Sequence, residues 1–439
     1  MILIFVADEK APRLLYIFNE ILLKRLGITY TLTDSYDYFS RSKMPKINYS
    51  TTIFENCINI PANTLLFEEN IKKISLSVEK NSRFEYSFFN QKLDADKFIE
   101  PPKQHLPFDI FSASFYLLSR YEEHMNPSFD MHNRYKVEES LAYKNGFLRI
   151  PLVDIWALEL GKIINNEYNE IQFLLSNYNE LNTFDIDFAY KYKGLSRYRF
   201  YKKALGNFFR FNFKELKKQF NKTIKDEYDT YDFIFESLGN KPSLFFFLLA
   251  EIESTHDKNL LPESSEYQNL IQQIASKFPV GIHPSYHASS SKKILFTEKT
   301  ELEKISNTII NTSRFHFLKF KLPYSYNHLV ENNILQDYSM AYANKIGFRA
   351  STCKGFQFFN LIENKTQNLE IFSPCVMDVT LKNTEKLTPN EANLAIENIK
   401  TEIKKVGGNF ISIWHNSNLT DTPEWEPWQV VWLKMVNLI

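Results

Sequence analysis

The sequence predicts an α/β protein in two parts: a smaller α/β domain over residues 1–178, then an incomplete (β/α) barrel of about seven strands over 179–439. Two patterns carry this reading. From Leu181 onward, short apolar or aromatic runs recur at 183–188, 244–250, 280–282, 315–320, 347–350, 371–379 and 410–414, and helical patterns separate most of them. Strands that alternate with helices imply a mainly parallel sheet, because a parallel pair needs a crossover long enough to hold a helix. Before Leu181 the pattern is different, and the chain there reads as a unit of its own.

In the first part, residues 2–6 and 30–33 suit strands, with a helical pattern across 12–26 between them. Phe111, Phe115, Leu118 and Tyr121 fall at helical spacing within 108–124, and 154–166 is a second such helix. The histidines here, His105, His124 and His132, are scattered and read as surface or capping residues. In the second part the clearest helix is 388–406. Thr388 is its N-cap, Pro389 its first residue and Glu391 the partner in a capping box, and Gly407 ends it. Phe245-Phe246-Phe247 reads as sheet core, and Trp425, Trp428 and Trp432 as one helix packed onto the sheet.

Composition narrows the functional classes. Lys+Arg and Asp+Glu balance at 52 each, so no net field draws the whole protein to nucleic acid or to a membrane. With 39 Phe, 24 Tyr and only 11 Gly the chain is rich in core formers and unlike a disordered one. Cys57, Cys353 and Cys375 form neither a zinc pattern nor a disulfide framework, which predicts a reducing compartment. The opening apolar stretch runs straight into Asp8-Glu9-Lys10, too short for a secretory leader, and 244–250 is strand-sized. The expectation is a cytoplasmic protein with no membrane span.

Residues 190–240 form a basic, aromatic insertion. Between 191 and 222 there are eleven Lys or Arg, ending at Lys222, with Glu215 the only acid and Phe and Tyr throughout. Two readings stand: a clamp on an anionic partner such as a membrane surface or lipid-linked glycan, or a solvated helical face offset by Asp226, Glu227, Asp229 and Asp232.

The residues that carry chemistry are Asp185 and Asp187 at the end of an apolar run, His283 and His287 four apart, and His415 just past another run. Two imidazoles and a carboxylate suit one divalent ion with a position left open, zinc first, with cobalt, iron or nickel as alternatives. A second carboxylate beside water at that ion is what amide or ester hydrolysis needs. Spacing of i, i+4 would let both histidines reach the ion from one helical turn opening at Pro284. Expelling an amine needs a protonated partner on the far side, where His415 is available.

Thr183-Phe184-Asp185-Ile186-Asp187, then Phe245-Phe246-Phe247, His283-Pro284-Ser285-Tyr286-His287 and Trp414-His415-Asn416 resemble, in that order, the polysaccharide deacetylase superfamily, the NodB homology domain of carbohydrate esterase family four. The resemblance spans roughly 181–420. It implies a distorted (β/α) barrel and metal-dependent removal of an N- or O-acetyl group from a sugar or polysaccharide. It further implies Asp187, His283 and His287 as metal ligands, Asp185 as general base and His415 as general acid. The first 178 residues resemble an N-terminal domain that precedes this module in some bacterial proteins.

The family's base-orienting arginine has no direct match, since Lys321-Leu322-Pro323-Tyr324 carries Lys in its place. Arg349 and Arg314 are the candidates, with Arg349 favoured because it ends an expected strand. Asp337 is the candidate for the acid that tunes His415, and His316 either lines the site or packs in a strand. Two other classes stay open: a non-catalytic glycan-binding or scaffold protein, and a metal hydrolase acting on another small C–N bond.

Overall fold

The computed structural model of the chain describes residues 1–90, 106–125, 128–221, 223–251 and 254–438, so His105 and Lys222 lie outside the described residues. The chain divides into two compact units, each mixed α/β. The first is Met1–Asn179 with Gly347–Ser373 and Thr401–Asn409, and the second is Glu180–Ile346 with Pro374–Lys400 and Phe410–Ile439. Among the described residues no helix is long and apolar enough to cross a membrane.

In the first unit, strands Ile2–Phe5, Tyr30–Thr33, Lys46–Ser50 and Ile58–Pro61 form a parallel sheet, with Ile2–Phe5 between the second and third. Ile2, Leu3 and Ile4 are all fully buried, as a strand covered on both faces should be. The helix expected over 12–26 begins at Pro12, where a missing N–H is harmless, and continues beyond Phe18 as a π-helical stretch, Asn19–Arg25. The helix expected over 108–124 is interrupted. Asp109 caps Ile110–Leu118, and Arg120, at φ 54°, separates it from Tyr121–Met125. The helix Leu152–Glu167 and an antiparallel pair, Phe356–Asn360 with Lys365–Ile371, complete the unit.

The strands of the second unit are β1 (Tyr178–Ile186), β2 (Ser243–Phe247), β3 (Val280–Ile282), β4 (Thr312–Ser313), β5 (Gln336–Asp337), β6 (Val376–Met377) and β7 (Gly408–His415). They lie in the order β5-β4-β3-β2-β1-β7-β6. The pairs β1/β2, β2/β3, β3/β4, β4/β5 and β6/β7 are parallel. Among the described residues no pairing joins β6 to β5, so these seven strands do not close into a barrel. Phe245, Phe246 and Phe247 are fully buried, with Phe245 stacked on Phe184 at 4.8 Å. Trp432, on the helix Glu426–Met435, meets Phe184 edge-on at 5.3 Å and donates its indole N–H to Ser237 Oγ. The helix Pro389–Val406 opens with the expected box: Thr388 N–H donates to Glu391 Oε2 at 2.8 Å.

Two expected strands are absent, for identifiable reasons. In 315–320 the alternation imitates a strand, but His316–Leu318 is a tight turn with Phe317 at φ 61° and Leu318 at φ 50°. In 347–350 the chain belongs to the first unit. Gly347 takes φ 128°, and an added Cβ would lie 2.4 Å from the Leu148 carbonyl oxygen, so only glycine fits.

Candidate metal centre

The strand register builds the site. Ile186 lies level with Phe247, Phe247 with Ile282, Ile282 with Ser313, and Ser313 with Asp337. The next residue on β1, β3 and β4 is therefore Asp187, His283 and Arg314, at one level beyond the strand ends. Side chains alternate along a strand, so Asp185 shares a face with Asp187. Carboxyl ends of parallel strands are where such sheets place their chemistry.

Asp187, His283 and His316 bring one ligand atom each to within 4.8 Å of one another. His283 Nδ1 lies 2.5 Å from the Arg314 carbonyl oxygen, which can only accept, so Nδ1 carries a proton and a neutral His283 turns the lone pair of Nε2 to the group. That Nε2 faces Asp187 Oδ1 at 3.2 Å, and Asp187 Oδ1 is buried without a hydrogen-bond partner among the described residues. Two buried acceptors facing each other call for a cation between them. His316 offers Nε2 at 3.4 Å from Asp187 Oδ2, while its Nδ1 is held by Asp257 Oδ1 at 2.9 Å. A histidine whose second nitrogen is fixed by a carbonyl or carboxylate is the usual form of a metal-bound imidazole. The donor set fits a divalent ion of the zinc or iron type.

Charge follows this geometry. Burial would raise the Asp187 carboxyl, but His316, His283 and His415 outweigh it and hold the group well below the usual carboxylate range. Burial disfavours the His316 imidazolium, yet Asp187 and Asp257 push it up to about 9 in the absence of a cation. Asp257 is fixed in turn by Ser254 Oγ and by the Tyr286 N–H.

Asp185 is almost fully buried and accepts from Arg314 Nη1 at 2.7 Å. Arg314 is itself buried. Its Nε donates to the Tyr338 carbonyl at 3.0 Å, and its guanidinium lies over the Phe246 ring at 4.4 Å. His415 stands across the group, its Nε2 3.5 Å from Asp187 Oδ2. His415 Nδ1 binds Asp378 Oδ1 at 2.8 Å, and its backbone N–H donates to Asp378 Oδ2 at 2.9 Å. Asn418 Nδ2 also donates to Asp378 Oδ2. Burial lowers the His415 imidazole, but Asp378, then Asp187 and Asp185, more than reverse this and push it up to about 10.

The geometry corrects three expectations. His287 is exposed and outside the group of three, because no helical turn opens at Pro284. The chain leaves β3 without a helical turn before Ser285, with the Ser285 N–H on Glu298 and the Tyr286 N–H on Asp257, and His316 stands where the second histidine was expected. Arg349 belongs to the first unit and pairs with Glu123 at 2.7 Å, so the arginine on Asp185 is Arg314. Asp337 does not reach His415. It lies across from Ser313 and accepts from Ser313 Oγ and from Ser339, bracing the loop that carries Arg314, while β6 supplies Asp378 to His415. Sequence reading missed Asp257 and Asp378. Asp378 had a signal, an acid closing the apolar run 371–379, but Asp257 had none.

Comparison with known proteins adds little to this geometry. A family model described as "Family of unknown function (DUF7033)" matches residues 2–169. No curated protein matches the chain. One solved structure, from Mycobacterium smegmatis and described as a "putative polysaccharide deacetylase", aligns over 60% of this chain and 89% of its own at 12% identity and a TM-score of 0.38.

Proposed function

We propose that the second unit is a metal-dependent hydrolase that removes an acetyl group from an N- or O-acetylated sugar or polysaccharide intermediate. The observation that carries this is the arrangement of Asp185 with Arg314 and His415 with Asp378 around the Asp187–His283–His316 group. Asp187, His283 and His316 would hold the ion, with zinc the first candidate. When bound, a divalent ion supplies Lewis acidity for the acyl carbonyl and makes water acidic enough to ionise near neutral pH. Asp185, kept in place by Arg314, takes a proton from the attacking water. His415, whose protonated form Asp378 favours, gives a proton to the departing amine or alcohol oxygen. A binding or scaffold protein has no use for a base and an acid on two sides of a metal group, which favours the catalytic reading. The sugar substrate rests on the motif resemblance.

The test is acetate release from N-acetylglucosamine oligomers and O-acetylated glycans by zinc-loaded protein, beside Asp185→Asn and His415→Ala. Release that falls by about 10²- to 10⁴-fold in either variant supports the reading. No release from any acetylated sugar by protein that holds metal would overturn it.

A further inference from the structure

We propose that the helical hairpin inserted after Asp187, Arg197–Phe209 and Phe213–Phe220, docks on an anionic phospholipid surface. The cations of this segment divide into two sets. Lys191 and Lys218 share Glu215 and Glu227 at 2.7–3.1 Å, and Arg199 turns inward to the Asn259 and Lys258 carbonyls. These hold the hairpin on its base. Arg197, Lys202, Arg210, Lys214 and Lys217 are exposed and make no ion pair among the described residues. Across 197–217 the only acid is Glu215, which Lys191 and Lys218 already engage.

The apolar half of the surface lies at the turn between the helices. Phe208, Phe209, Phe211 and Phe213 are 52%, 73%, 79% and 56% exposed, with Arg210 and Lys214 among them and Tyr198, 73% exposed, on the first helix. Rings this exposed and this close together form an unpartnered patch rather than scattered surface apolars. Cations interleaved with aromatic rings, with no acid left free within 197–217, complement phosphate headgroups above an apolar layer. An apolar protein surface would cover the rings and strand the cations, whereas a polyanion would take the cations and leave the rings in water.

The base of the hairpin is tied to the metal centre. Asp226 accepts the backbone N–H groups of Lys191, Tyr192 and Lys193. Thr230 Oγ1 donates to the carbonyl of Asn416, the residue after His415, and Asn416 Nδ2 donates to the Phe188 carbonyl, the residue after Asp187. Docking would therefore anchor the unit that carries the centre to the membrane surface. The docking itself does not depend on the deacetylase reading.

Co-sedimentation of the full chain with phosphatidylcholine vesicles, with and without phosphatidylglycerol, tests this. Two variants are compared: Phe209→Ser with Phe211→Ser, and the fourfold reversal K202E, R210E, K214E and K217E. All six positions are exposed, so circular dichroism should stay unchanged. The expected result is binding only to the phosphatidylglycerol vesicles, weakened by salt. Each variant should lose at least about tenfold, since one surface cation is worth about fivefold. The proposal is overturned if wild type stays in the supernatant, if both variants bind unchanged, or if wild type only self-associates through these phenylalanines.

Discussion

Asp378→Asn should move the ionisation of His415 downward. The fully buried Asp378 takes the His415 Nδ1–H on one oxygen and the His415 backbone N–H on the other. An asparagine can keep the first contact through its own oxygen, but it removes the charge and turns a donor toward the His415 and Asn418 N–H groups. An opposite charge at this distance shifts a titrating group by about 1 to 3 units, or about 1.4 to 4 kcal/mol. In the wild type the imidazole is raised from 6.5 to about 10, so its protonated form favours the folded state. The sign follows: this stabilisation is complete below about pH 6.5 and is lost as pH rises through about 10. In Asp378→Asn the upper edge of that window falls. NMR titration of His415 in metal-free protein reads the shift directly, and the alkaline limb of a pH–rate profile should also move down. An unmoved His415 titration in Asp378→Asn would refute the reasoning.

Further outcomes follow from the same contacts. Arg314→Lys should lower kcat by about 10- to 100-fold, because an ammonium cannot hold Asp185 and the Tyr338 carbonyl together. Arg349→Met should instead leave kcat unchanged and lower stability by about 1.5 to 3 kcal/mol in urea melts, by leaving buried Glu123 with Arg120 alone. Burial pushes Glu298 up to about 8 from 4.5, so its neutral form stabilises the fold. Wild-type stability should therefore fall by up to about 1.4 kcal/mol per pH unit between about 4.5 and 8. Glu298→Gln should flatten that slope, and equal slopes in the two proteins would count against a neutral Glu298. Asp257→Asn, which removes the carboxylate behind His316, should weaken zinc binding by about 10- to 100-fold in calorimetry.

Much of the fold was legible because strand ends and caps are local features. The runs at 280–282 and 410–414 and the box at Thr388 and Glu391 recur in the structure within a few residues. Two-residue strands leave no periodic trace, so Gln336–Asp337 went unseen while 347–350, an apolar run packed in the other unit, stood in the count. At the site, Asp185, Asp187, His283 and His415 were legible as polar residues at strand ends. Partners were not legible. His287 offered the right spacing, but spacing matters only on a helix, and the chain after His283, with no helical turn before Ser285, turns it outward. His316 reaches the group because its segment turns at Phe317 rather than continuing as a strand, a tertiary choice fixed by Asp257 from a distant loop.

The most direct test is the metal content of protein exposed to zinc and dialysed, for wild type, His316→Ala, His287→Ala and Asp185→Asn. A centre built from Asp187, His283 and His316 predicts near one equivalent in wild type, His287→Ala and Asp185→Asn, and loss in His316→Ala. Retention in His316→Ala with loss in His287→Ala would contradict it and return the second ligand to the position that spacing alone suggested.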